Sequence, residues 1–120
     1  KQWIAGSLRP KGRVRIDAGA VAALAQGRSL LPAGVRAVED EFQRGDSIIV
    51  ADLEGHELAR GLVAYDSGDA RRIAGRKSPD FESLLGYRGR QEMIHRDDLA
   101  LTAAGLTAAV PPETDRGEAS

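Results

Sequence analysis

Residues 47–65 narrow the choice of fold more than any other stretch. Ser47-Ile48-Ile49-Val50-Ala51 is a short β-branched run, too short for a buried helix and suited to a strand. Asp52-Leu53-Glu54-Gly55 has hairpin-turn composition, and Glu57 to Tyr65 returns as the partner strand. Leu58, Leu62 and Val63 supply its apolar side, and Gly61 marks a bulge or a close backbone approach. A chain organised around such a hairpin builds a sheet, and its apolar runs are far shorter than a membrane span.

The flanks extend the same pattern. Gly12-Arg13-Val14-Arg15-Ile16 alternates polar and apolar and predicts a half-buried strand. Asp17 follows as a helix N-cap, with Ala20, Val21, Leu24 and Ala25 at helical spacing and Gly27 as the stop. Ser29 to Gly34 is a loop with an apolar anchor, and Val35-Arg36-Ala37-Val38 is a second strand. Arg44-Gly45-Asp46 makes a turn, and Asp66-Ser67-Gly68-Asp69 reads as another. Two short helical pieces between Asp69 and Leu85 are broken at Gly75 and Pro79, and Gly86 ends the second. Met93-Ile94-His95 leads into a last short strand ending near Leu101. The expected class is mainly β with short helices, five to six short strands in a small barrel or sandwich. Phe42, Tyr65 and Phe81 belong to its core.

The 120 residues suit one domain able to bury roughly two-thirds of its unfolded surface. Residues 1–10, with Trp3, Ile4, Gly6 and Pro10, read as a linker, and 102–120 as a polar, disordered tail. The chain begins at Lys1 and its one methionine is Met93, which reads as a piece of a longer protein. With no cysteine, disulfides, thiol catalysis and cysteine-ligated zinc are excluded. Cytosol is the expected compartment.

Net charge is −1, but it is laid out in blocks. Residues 1–36 carry +6, 37–69 carry −7, 70–96 carry +4 and 97–120 carry −4. Charge blocks of this size usually pair internally on folding. Fourteen of the 17 basic residues are Arg, which suits bidentate contact with phosphate or carboxylate. Arg9, Lys11, Arg13, Arg15, Arg28 and Arg36 surround the first strand, helix and loop; Arg71, Arg72, Arg76 and Lys77 form a second cluster.

Catalytic constellations are missing from the pattern. Gly75-Arg76-Lys77-Ser78 resembles the end of a phosphate loop, but Gly68 lies seven residues before Gly75 and Arg76 separates glycine from lysine. His95, Asp97 and Asp98 have ligand chemistry, yet His56 is the only other histidine, so His95 is expected to hydrogen-bond at a strand end. Ser67 and Ser78 have no histidine near in sequence and no nucleophile elbow. The expectation is therefore no catalytic, cofactor-binding or metal-binding residue. Nucleic-acid binding through the basic residues stays open, although aromatics make up only 4% and form no stacking row.

Some of these residues form a familiar string. Val14-Arg15-Ile16-Asp17-Ala18-Gly19-Ala20, then Ala23-Leu24 and Gly27 to Val35, resembles the opening of a PUA domain, a small pseudo-barrel. Phe42-x-x-Gly45-Asp46, the Gly55 turn and Ala59-Arg60-Gly61-Leu62 continue it. Tyr65-Asp66-Ser67, Arg72-Ile73-Ala74-Gly75, Ser78, Leu85-Gly86-Tyr87 and His95-Arg96-Asp97-Asp98 are similar to the PUA domain at the C-terminus of bacterial glutamate 5-kinases. The resemblance runs from about Trp3 to Leu101 and bounds a domain at 11–101.

It implies a parent that phosphorylates the γ-carboxylate of L-glutamate with ATP and Mg²⁺, at the start of proline biosynthesis. The ATP and glutamate sites would lie in an N-terminal amino-acid-kinase domain absent here, so this part would be non-catalytic, with a regulatory or assembly role. That domain is the implied partner, with a homo-oligomer formed through the parent. In RNA-modifying relatives the early helix and the glycine loop touch RNA. The matching candidates for RNA or anion contact are Arg28, Gly34, Val35 and Arg36, Gly34 permitting close backbone approach. Where the family usually has glycine this chain has Asp40, whose charge beside Glu39 and Glu41 would repel phosphate in a groove.

Overall fold

Val14 and Ile16 are fully buried while Arg13 and Arg15 reach the surface, so the sequence alternation becomes strand β1, Gly12–Ile16. The computed structural model describes residues 9–102. The expected linker residues 1–8 and tail residues 103–120 lie outside the described residues.

Asp17 ends β1 and caps helix α1, Ala18–Ala25, its Oδ1 accepting the Ala20 N–H at 2.9 Å. A Pro32–Gly34 turn leads into β2, Val35–Glu39. β3 spans Ser47–Asp52 and β4 Glu57–Leu62, joined by the expected hairpin. Helices α2, Ser67–Ile73, and α3, Phe81–Leu85, follow, and β5, Leu99–Leu101, completes the sheet. Its order is β2-β1-β3-β4-β5. β1 runs parallel to β3, and the other pairs are antiparallel. The architecture is mainly β with short helices, as expected, with five strands.

The core gathers Val14, Ile16, Ile48, Val50 and Leu58 from the strands with Phe42, Tyr65, Ile73 and Phe81 from the segments around them. Leu30 and Ile94 bridge outside the named strands, with Leu30 N–H donating to Ile94 O at 2.9 Å. Gly61 is the close approach rather than the bulge: a Cβ there would stand 2.7 Å from Ile94 Cγ2. The register shift between these strands falls at Val50/Ala51.

Two expectations change. β4 ends at Leu62 instead of continuing to Tyr65, because the Ala64 N–H turns to Met93 O at 2.8 Å. Asp66 to Asp69 is a helix start, not a turn. Asp66 is the N-cap, and its Oδ1 accepts the Asp69 N–H at 2.8 Å. Tyr87 then ties the segment after α3 to α2, donating to Asp69 Oδ2 at 2.7 Å. That hydrogen bond, aided by desolvation, pushes the phenol up to about 12.

Candidate anion-binding groove

Helix α1 presents alanines to the turn that follows it, and this lets backbone pack directly on helix. A Cβ added to Gly34 would sit 2.6 Å from Ala20 Cβ, so only glycine fits without displacing α1. Asp17 locks the junction three ways: its N–H donates to Gly34 O at 3.0 Å, Oδ1 caps the helix, and Oδ2 pairs with Arg36 Nη2 at 3.1 Å. Leu30 is the buried anchor of the loop, 1% exposed, whereas the next residue, Leu31, is 52% exposed.

Two cavities flank Leu31. One, of about 410 Å³, is lined by Ala20, Ala23, Arg28, Leu31 and Ala33, with Asp17 and Glu92 at its polar edge. Its neighbour, of about 260 Å³, is lined by Leu31, Ala33, Arg76, Lys77 and Phe81. Leu31 and Ala33 belong to both, so the two form a continuous groove over the turn. The Gly75 N–H donates to Pro32 O at 2.7 Å and pins the loop carrying Arg76 and Lys77 beside it.

The four sequence candidates separate. Arg28 and Gly34 line the groove. Val35 is 1% exposed, its side chain in the core, because β2 begins there with an inward residue; side-chain contact with a ligand is ruled out for it. Arg36 is exposed but held by Asp17. The turn's amides are also used internally: Gly34 N–H donates to Leu31 O and Val35 N–H to Pro32 O. The side chains that remain as candidate anion contacts are Arg28, Arg76 and Lys77.

Among the described residues Arg28, Arg76 and Lys77 form no ion pair, while most other arginines of the two clusters do. Arg13 and Arg15 pair with Glu39, Arg71 with Glu41 and Arg72 with Asp69. Three cations without acidic partners thus converge on an exposed leucine. In the sequence Arg76 and Lys77 stand out as part of a charge cluster and of a partial phosphate-loop match; nothing local indicates that they lie on the same groove as Arg28. Asp40 lies elsewhere. It follows β2 at the end opposite Gly34, about 20 Å from it along the strand at ~3.3 Å per residue, and its carbonyl accepts Arg71 Nη2 at 2.9 Å.

The remaining chemical candidates are structural by their contacts. Ser67 donates to Glu41 Oε1 and accepts the Phe42 N–H. His95 Nδ1 accepts the Asp97 N–H at 3.1 Å, the expected strand-end bond. Asp52, Glu54 and His56 bring ligand-type atoms together at the β3–β4 hairpin. There Asp52 accepts the Glu54 and His56 N–H groups and holds the imidazole at 2.9 Å. That hydrogen bond raises the His56 pKa above its ordinary value.

Comparison with known proteins places the chain in a family. The chain is 61% identical over 105 residues to glutamate 5-kinase from Bradyrhizobium sp. (strain BTAi1), covering 88% of this chain and 28% of that protein. It is 63% identical over 101 residues to glutamate 5-kinase from Nitrobacter winogradskyi, covering 84% and 27%. The chain thus spans little more than a quarter of the length of these relatives. The crystal structure of a PUA domain from Aeropyrum pernix K1, in a tartrate complex, superposes with a TM-score of 0.53 at 29% identity over 82% of this chain and 48% of that one. The pattern of the PUA domain family matches residues 12–85, from the first residue of β1 to the last of α3, and the chain belongs to that family.

Proposed function

We propose that this chain is the PUA domain of a glutamate 5-kinase and acts in the cytoplasm as its non-catalytic, regulatory or assembly module. The observation that carries this reading is identity of about 60% across nearly the whole chain to enzymes of which it spans only about 28%. The parent reaction is transfer of phosphate from ATP, with Mg²⁺, to the γ-carboxylate of L-glutamate, at the opening of proline biosynthesis. The described residues do not fit a Mg²⁺-nucleotide. The loop holding Gly75, Arg76 and Lys77 follows the end of α2 rather than joining a buried strand to a helix N-terminus. The Asp52–His56 cluster is closed by its own hydrogen bonds. In this reading, as the family resemblance implies, nucleotide and metal are held by the amino-acid-kinase portion of the parent, which is this domain's partner and the route to any homo-oligomer.

A second reading, an RNA-binding module, is favoured by one observation: Arg28, Arg76 and Lys77 converge on one groove clear of Asp40. One titration separates the two. A labelled structured RNA is followed by fluorescence anisotropy as the chain is added at two salt concentrations. The regulatory reading predicts no saturable binding at low salt with about 100 μM protein, beyond the usual non-specific range. Micromolar binding that weakens steeply with salt would replace it by the RNA reading. In that case the Arg28→Ala/Arg76→Ala/Lys77→Ala variant lowers the salt slope by about three, near one for each phosphate-neutralising cation removed.

A further inference from the structure

A separate cavity of about 230 Å³ opens at the other side of the Glu92 segment, between the turn before β3 and the end of β4. Its lining includes two arginines, Arg44 and Arg90, two carboxylates, Glu92 and Asp98, and the imidazole of His95. Opposite charges that share a cavity usually collapse onto each other. Here they do not: none of Arg44, Arg90, Glu92 and Asp98 forms an ion pair among the described residues. The arginines of the sheet behave differently. Arg15 lies 2.8 Å from Glu39, and Arg60 lies 2.6 Å from Glu57.

Backbone bonds hold the lining in place. Gly45 N–H donates to Val63 O at 2.8 Å, Val63 N–H to Asp46 O at 3.0 Å and Asp98 N–H to His95 O at 2.8 Å. The Tyr65 hydroxyl donates to Arg90 O and fixes the backbone beneath that guanidinium. His95 Nδ1 accepts the Asp97 N–H, so the neutral ring carries its proton on Nε2 as a donor. The cavity therefore combines anion-seeking donors with cation-seeking carboxylates on a fixed frame. Its volume lies below the roughly 300–1,000 Å³ of a drug-sized ligand site, which suits a small ligand.

We propose that this cavity binds a small zwitterion, the chemistry of a free amino acid. The carboxylate sits against Arg44, Arg90 and His95 Nε2–H, and the ammonium against Glu92 and Asp98. A ligand carrying both charges meets both sets at once, whereas a simple anion or cation meets only one. The inference does not rest on either functional reading above: the groove at Leu31 shares Glu92 with this cavity but neither arginine nor Asp98.

The test is the thermal midpoint of the 120-residue chain at constant ionic strength. The probes are glycine, L-proline and L-glutamate, with sodium acetate and methylammonium chloride as singly charged controls. The proposal predicts that at least one amino acid raises Tm, by about 5 °C at ten times its dissociation constant and logarithmically beyond it, and that neither control does. Arg90→Gln and Asp98→Asn, which keep the backbone bonds, each abolish the rise; Arg44→Gln serves if either variant fails to fold. No rise above the controls with any of the three amino acids overturns the proposal. So does an equal rise with acetate, or a rise that survives in the folded variants.

Discussion

Asp40 has φ +68°, the one non-glycine residue with positive φ among those described. Left-handed backbone costs an L-residue roughly 1–2 kcal/mol, with Asp among the more tolerant. This explains in physical terms why glycine suits the position. The side chain is exposed, and only the carbonyl of Asp40 receives the Arg71 bond. Asp40→Gly is therefore expected to stabilise the fold by about 0.5–1 kcal/mol, the relief of strain exceeding the added freedom of the unfolded chain. Urea denaturation checks it; a loss of stability would mean the carboxylate does more than tolerate its conformation. Gly34 shows the opposite constraint. Gly34→Ala forces a Cβ against Ala20 and is expected to cost about 1–3 kcal/mol. Adding Ala20→Gly should recover part of that loss despite its own helix penalty of ~1 kcal/mol. Strict additivity of the two changes in a denaturation cycle would contradict the packing role. The sequence marks Gly34 as special but is silent on the reason, because the atom it must avoid belongs to another element.

At the scale of elements, strands with strong local signals were legible. β1 alternates, β3 is β-branched, and Asp17 caps α1, each a property of adjacent residues. The misread elements depend on distant partners. Val63 to Tyr65 keeps an apolar pattern but leaves the ladder, since Met93 supplies a competing acceptor. Asp66-Ser67-Gly68-Asp69 has turn composition, and only the capping geometry shows that a helix starts there. The β3–β4 hairpin carries its own titration. The Asp52 hydrogen bond, followed by its charge, raises the His56 pKa. A raised folded pKa means the pair's contribution is fully present below about pH 6.5, the unfolded value, and fades as pH rises through the folded value. An NMR titration is expected to place His56 above ordinary histidine, and Asp52→Asn to return it. An unchanged midpoint in the variant would remove Asp52 as the cause.

At the scale of the molecule, charge blocks in the sequence predicted internal pairing. The structure shows that for Arg13, Arg15, Arg71 and Arg72. What the blocks conceal is which cations are left over. Arg28, Arg76 and Lys77 meet because Gly75 bonds to Pro32, a long-range contact with no signature in either segment. The exposure of Leu31 beside the buried Leu30 was equally hidden, since both read as one apolar anchor. On the reading proposed above, the groove these residues form, on a chain spanning about a quarter of its relatives' length, is the surface of a module that serves a larger protein. The most direct test of that account is glutamate-dependent ADP release by the parent enzyme with and without the segment 1–120. The account predicts that the truncated, folded kinase portion retains turnover within a few-fold while its feedback inhibition, metal response or assembly state changes. Complete loss of turnover in a kinase portion that still folds would contradict it.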